Sequence, residues 1–261
     1  MGNQGAEGLR SVNRALAALE LIAEAGELGV SELGRRLEVH KATASRLAAT
    51  LARRGMIERD PVSERYRLGF GLIRLAGAAM AGLDLVSSAR PVLEELAERT
   101  RETVTLGVLS GDDVVSIDQV TGTRSIVSVS WVGKRTPLHA TSTGKVLLAA
   151  MTDAELDRRL ARGLDRSTPR TVTDPSELRA QLAEVRRRGW AQTLEELEEG
   201  LTAVAAPVRQ ADGEVVGALS VSGPAFRMRP VDLPRLGRLT ALAAEQVSRR
   251  LGHQAHAQRS W

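Results

Sequence analysis

Apolar side chains recur at helical spacing along the first part of the chain. Leu16, Leu19 and Ile22 fall on one side of a helix predicted from about Ser11, and the Gly-rich, polar residues 1–8 read as a loose tail. After Gly29-Val30, Ser31 is placed to cap a short second helix carrying Leu33 and Leu37 at i, i+4. Glu38-Val39-His40 separates it from a third helix, 41–54. There Ala44, Leu47, Ala48 and Leu51 make a core-facing stripe, and Gly55 supplies the stop. The period then falls to two. Ile57-Glu58-Arg59 and Tyr66-Arg67-Leu68 alternate like strands, joined by the turn residues of 60–64.

Three short helices followed by a hairpin is the layout of a winged helix-turn-helix, whose third helix enters the major groove of duplex DNA. A plain helical bundle with a solvated basic face fits the same periodicity. The hairpin directly after the third helix favours the DNA-reading layout. With the stripe turned to the core, Lys41, Thr43, Ser45, Arg46 and Thr50 are left towards solvent or DNA. These are small hydrogen-bonding groups plus two cations, suited to phosphates and base edges. Arg59, Arg65 and Arg67 on the hairpin are expected along the DNA backbone, and Ser31 joins the candidate contact set.

The stretch 71–82, rich in Gly, Ala and Leu, reads as a linking helix. Beyond it strand and helix signals alternate: a helix around 91–100, strands at 103–109, 114–119, 126–131 and 215–222, and helices at 153–162, 175–188 and 233–251. Asp174-Pro175-Ser176-Glu177 is a strong helix start, with Asp at the cap, Pro in the first turn and Glu three residues on.

Composition narrows the function. A chain of 261 residues, 43% of them hydrophobic, is long enough for two packed domains. It has no cysteine, which rules out disulfides, thiolate zinc sites and cysteine nucleophiles and fits a reducing cytoplasm. No signal-like start occurs, and no apolar run nears the roughly 18 residues of a spanning helix. The expectation is a soluble, cytoplasmic protein without membrane contact. Of the net charge of +4, +3 falls within the first 74 residues, where 12 Lys/Arg stand against 9 Asp/Glu. That placement favours an anionic partner there. Aromatics at 2% are too few for a platform stacking single-stranded bases, so duplex DNA is the expected partner.

Three segments of the second half carry candidate chemistry. His139 to Lys145 is a small-residue turn leading into the apolar helix 146–151, where backbone N–H groups can hold a carboxylate. A plain capped helix end is the equal alternative. The segment is no P-loop, since His139 and Val146 stand where Gly and Ser/Thr are needed. Next, Ser220 and Ser222 lie two apart on a strand, on the face opposite Leu219 and Val221. Paired hydroxyls there can grip an acid oxygen or simply meet water. Finally, Thr193 precedes the acidic run Glu195-Glu196 and Glu198-Glu199, read most simply as solvated surface.

Ser11-Val12-Asn13-Arg14-Ala15-Leu16, Ser31-Glu32-Leu33, Lys41 to Leu47, Thr50-Leu51, Gly55 and Tyr66-Arg67-Leu68-Gly69 resemble the IclR family of bacterial regulators. So do Pro137 to Lys145 and Leu219 to Pro224, and the resemblance runs collinearly over about residues 10–252. It implies an α+β chain: a winged helix-turn-helix at 9–69, a linker helix at 70–84, a GAF-like α/β effector-binding domain at 85–252, and a tail at 253–261. It also implies dimers that commonly pair into tetramers; a symmetric dimer or tetramer on a pseudo-palindromic operator is expected, with repression the default mode by analogy and activation open. In proteins that this chain resembles, the three segments meet as an effector pocket, often for a small carboxylic acid. Position by position, that points to Ser142, Thr143, Thr193, Leu201, Ala203, Ser220 and Ser222. Some relatives are acidic where Thr193 stands and have Cys or another polar residue near Ala203, so this pocket is expected to be less polar there. Trp131 is available as an apolar wall, though core packing is the commoner use of such a residue.

The competing class is an enzyme or metabolite-binding module with an accessory helical domain. Its support is thin. There is no G-x-S-x-G elbow, although Ser142 lies near His139 in sequence, and His253-x-x-His256 is too isolated for a metal site. No catalytic residue, metal or cofactor is expected.

Overall fold

The computed structural model describes residues 4–80, 85–123 and 130–253, and the chain divides into two compact units, Met1–Leu83 and Asp84–Trp261. The first unit runs α1 (Gln4–Ala25), β1 (Glu27–Leu28), α2 (Val30–Arg36), α3 (Lys41–Arg53), β2 (Ile57–Arg59), β3 (Tyr66–Leu68) and α4 (Phe70–Met80). Ala18 and Ile22 of α1, Leu33 of α2, and Ala48 and Leu51 of α3 close one core with Leu28 and Ile57. The stripe read from the sequence is therefore the packed face. The hairpin gains a third strand that alternation could not reveal. The two-residue β1 pairs with β3 at Glu27↔Arg67 and Leu28↔Tyr66, making the order β1-β3-β2.

Two local expectations are corrected here. α1 starts at Gln4, within the segment read as a tail, because adding a residue to an existing helix costs far less than nucleating one. Gly29, not Ser31, caps α2, and Ser31 lies exposed in its first turn. Gly55 ends α3 as expected, at φ +69°, a left-handed conformation that an L side chain resists.

The second unit runs α5 (Leu85–Thr100), β4 (Thr103–Ser110), β5 (Asp113–Val120), β6 (Arg135–Pro137), α6 (Ser142–Ala150), α7 (Asp153–Leu160), α8 (Pro175–Arg188), β7 (Ala191–Leu194), β8 (Leu201–Arg209), β9 (Val215–Pro224) and α9 (Leu233–Arg250). The strands form an antiparallel sheet in the order β6-β5-β4-β9-β8-β7. Alternation assigns its two faces. Val104, Leu106, Val204, Val208, Leu219 and Val221 pack under α5 and α9. On the other face Val114, Ala191, Ala205 and Ala218 pack with Leu147 of α6, Leu156 of α7 and Leu178 of α8. The sheet is covered by helices on both sides.

That double burial explains what the sequence hid. β8 reads Leu-Thr-Ala-Val-Ala-Ala-Pro-Val-Arg, poor in strand formers and interrupted by Pro207. Small residues suit a strand pressed from both faces. Pro207 lies past Ala205, where pairing with β7 ends, so its missing N–H removes no bond on that side. Conversely, Pro91 sits inside α5 rather than starting it, since Leu85 and Ala89 are buried on the same helix. The start of α8 is as read, with the Asp174 carboxylate accepting Ser176 N–H at 2.7 Å. The strand expected at 126–131 falls almost wholly outside the described residues, as do 81–84 of the linking segment and His256.

Candidate functional site

On α3, burial of Ala44, Ala48 and Leu51 leaves Lys41, Ser45, Arg46 and Thr50 exposed and Thr43 half-buried. Thr50 Oγ1 donates to the Arg46 carbonyl at 2.8 Å, so that hydroxyl is already engaged by its own helix. The N-terminus of α3 follows His40, with no side-chain cap on its first amides. Those amides add partial positive charge to that of Lys41.

The arginines of this unit fall into two groups. Arg59 pairs with Glu64 at 2.9 Å, Arg65 with Glu27 at 3.1 Å and Glu32 at 3.6 Å, and Arg67 with Glu58 at 3.4 Å. The hairpin cations are locally balanced, by Glu58 and Glu64 of the hairpin itself and by Glu27 and Glu32 from earlier in the chain. Among the described residues, Arg14, Arg35, Lys41, Arg46, Arg53, Arg54 and Arg74 form no ion pair. Arg14 and Arg35 flank a hollow shared with Glu38, His40 and Thr43, beside the start of α3. Sequence reasoning missed this pair, since Arg14 on α1 and Arg35 on α2 meet only in the fold.

In the second unit, the turn into α6 is held by Thr141, whose Oγ1 donates to the Pro137 carbonyl at 3.2 Å and accepts Gly144 N–H at 3.0 Å. Gly144 is required there, because a Cβ would stand 2.0 Å from the Leu138 carbonyl oxygen. The amides of the first turn after the cap, Ser142 and Thr143, have no intrahelical acceptor. They border a small cavity of about 60 Å³ between α6 and the sheet. All seven residues expected at an effector pocket line it: Ser142 and Thr143 from α6, Thr193 from β7, Leu201 and Ala203 from β8, Ser220 and Ser222 from β9.

Sequence reasoning missed further lining groups. Thr105 on β4 and Ser116 on β5 reach it because β4 pairs with β9 and β5 with β4, and Leu197 comes from the loop after β7. Trp131 stands in the wall, so here the less common of its two readings holds. Its backbone N–H donates to Gln119 Oε1 at 2.8 Å. Nine of the described lining residues carry a hydroxyl and none carries a charge. An anion placed there would be met by neutral donors and helix amides alone.

The acidic run behind Thr193 is not the solvated surface expected. Glu198 and Glu199 are exposed, but Glu196 is buried and faces an equally buried lysine, Lys145. Lys145 Nζ donates to both Glu196 carboxylate oxygens and to Gln181 Oε1, each at 2.6 Å. Burial pushes the lysine below its ordinary pKa and the glutamate above, while the charge of each partner opposes its shift. His139 points away from Ser142's chemistry: its Nε2 lies 2.8 Å from the Asp165 carbonyl oxygen.

Two family models match the chain: the IclR helix-turn-helix domain over residues 11–61 and the bacterial transcriptional regulator IclR C-terminal domain over residues 77–249. Among curated relatives, the HTH-type transcriptional regulator BhcR of Paracoccus denitrificans is 36% identical, across 95% of this chain and 89% of its own. The HTH-type transcriptional regulator KdgR of Escherichia coli is 33% identical, across 95% and 94%. Among solved structures, an IclR homolog of Microbacterium hydrocarbonoxydans complexed with 4-hydroxybenzoate superposes with a TM-score of 0.80. It is 30% identical, across 93% of this chain and 99% of its own.

Proposed function

Since the chain belongs to the IclR family of bacterial transcriptional regulators, we propose that it is a repressor released from its operator by a small carboxylic acid held in the α6 cavity. The observation carrying the effector class is the convergence of the α6 first turn with uncharged hydroxyls from β4, β7 and β9. Amides at a helix start favour a carboxylate. Trp131, Leu197 and Leu201 offer an apolar body something to pack against. The homolog bound to 4-hydroxybenzoate is a relative that takes a ligand of this chemistry.

DNA contact is assigned to Lys41, Thr43, Ser45 and Arg46 of α3, with Ser31 at the start of α2. Arg59, Arg65 and Arg67 lie along the backbone only by exchanging a glutamate for a phosphate. A dimer or a pair of dimers on a pseudo-palindromic site follows from the symmetry of such operators. The acid acts only as far as its affinity differs between DNA-bound and free arrangements. No enzyme activity is assigned. The lining hydroxyls have, among the described residues, no histidine or carboxylate in the cavity to activate them.

Two measurements test this reading. In mobility shifts on upstream DNA, Arg46→Ala weakens specific binding by about 1–3 kcal/mol if the side chain reads a base. Unchanged affinity and salt dependence would remove α3 from the groove. In a thermal-shift screen of small carboxylic acids, a stabilising acid loses its effect in Ser220→Ala/Ser222→Ala. An acid that still stabilises this variant binds elsewhere.

A further inference from the structure

Lys145 is 1% exposed and Glu196 6% exposed, an expensive placement for two charges that touch nothing in the cavity. Their positions in the fold suggest what the pair does. Lys145 lies on α6 within one turn of Ser142 and Thr143, which face the cavity. Glu196 belongs to the loop between β7 and β8, immediately before Leu197, which closes the cavity from another side. We propose that the Lys145–Glu196 ion pair is the latch that holds the loop 195–200, and Leu197 with it, at a fixed distance from the first turn of α6. The pair is a positioning device for the effector cavity, and this rests on the cavity being the effector site.

The loop's other restraints do not tie it to α6. Glu195 Oε2 accepts Gly200 N–H at 2.8 Å, which closes the loop on itself. Glu195 and Gly200 both hold positive φ, at +59° and +80°, so the loop has a defined internal shape. The Glu196 carbonyl accepts the hydroxyls of Thr171 at 2.7 Å and Thr168 at 3.4 Å, both from the segment before α8. Gln181, the lysine's third acceptor, belongs to α8. Lys145 thus joins α6, α8 and the loop through one ammonium group. A hydrophobic pair would fill the same space but would not fix direction, because only the charged pair specifies where Nζ and the carboxylate must meet.

The test is hydrogen–deuterium exchange on the full chain carrying Lys145→Met/Glu196→Leu, which removes both charges and leaves no buried ion unpaired. Glu196→Gln serves as a second variant that keeps the shape. The expected result is amide exchange at least tenfold faster across 195–200 than in the unmodified protein, with β8 and β9 protected as before. Unchanged exchange in the loop overturns the proposal, since Thr168, Thr171 and Glu195 would then suffice. Loss of protection throughout both variants, β8 and β9 included, also overturns it, because the pair would be holding the domain rather than the loop. A parallel titration with 4-hydroxybenzoate separates the two readings. Failure of the unmodified protein to bind this or any screened acid counts against the effector reading, while the exchange result still decides the latch.

Discussion

Thr105 Oγ1 and Ser220 Oγ lie 3.1 Å apart, directly opposite each other on β4 and β9, in the floor of the cavity. One hydroxyl donates to the other where water is largely displaced, which leaves the acceptor's own O–H free for a ligand. Ser220→Ala alone leaves the Thr105 hydroxyl buried without its partner and is expected to cost about 1 kcal/mol or more. Thr105→Val/Ser220→Ala removes both groups and is expected to come closer to the original stability than the single change. Urea unfolding of the three proteins checks the order. A double variant less stable than Ser220→Ala would mean the pair is more than mutual compensation.

The division of arginines in the first unit predicts a division in salt dependence. Arg35 carries no carboxylate partner among the described residues, whereas Arg67 faces Glu58 at 3.4 Å. Arg35→Ala should weaken binding across sequences and lower the slope of log affinity against log salt by about 1. Arg67→Ala should lower it less, because Glu58 already offsets that charge. Titrations at several salt concentrations decide. Equal slopes for the two variants would show that the hairpin pairs break on DNA.

Gly144→Ala sets helix propensity against packing. Alanine is the better helix former by about 0.8–1.0 kcal/mol, yet its Cβ would sit 2.0 Å from the Leu138 carbonyl oxygen and 2.4 Å from its Cα. Those are backbone atoms of the turn that Thr141 pins, so they cannot give way cheaply. A net destabilisation of about 1–3 kcal/mol is expected, the range for overpacking. A thermal melt showing a stabilised variant would contradict the tight turn.

Asp174 predicts an acid-sensitive cap. Its carboxylate accepts Ser176 Oγ and N–H, both at 2.7 Å, and these bonds hold it below its ordinary value of 3.8. A depressed folded pKa contributes stability that is fully present above that ordinary value and lost as pH falls through the depressed one. The melting-temperature gap between the unmodified protein and Asp174→Ala should therefore be constant near neutrality and close below about pH 3.8. Asp174→Asn, which still caps but does not titrate, should show no such closure. A gap independent of pH in both would remove the carboxylate from the cap.

Much of this molecule was legible in its one-dimensional pattern, and the reason is local. The stripe of α3, the stop at Gly55 and the Asp174-Pro175 start of α8 depend on neighbours within a turn or two, so spacing alone exposes them. The opposed faces of β9 follow equally from alternation: Leu219 and Val221 go to the core, Ser220 and Ser222 to the cavity. Groups whose meaning depends on distant partners were not legible. Glu196 lies in a run of carboxylates like any solvated one, and only the packing of α6 and α8 against its loop buries it on Lys145. The hairpin arginines read as free cations until Glu27, Glu32, Glu58 and Glu64 fold beside them. β8 escaped notice because its small residues answer to helices on both faces, a constraint absent from its own pattern. The sequence by itself thus determined which helix turns small polar and basic side chains outward and which strand face bears the hydroxyls. Tertiary structure decided which charges remain free and which residues complete the cavity, because burial and pairing are properties of neighbours in space.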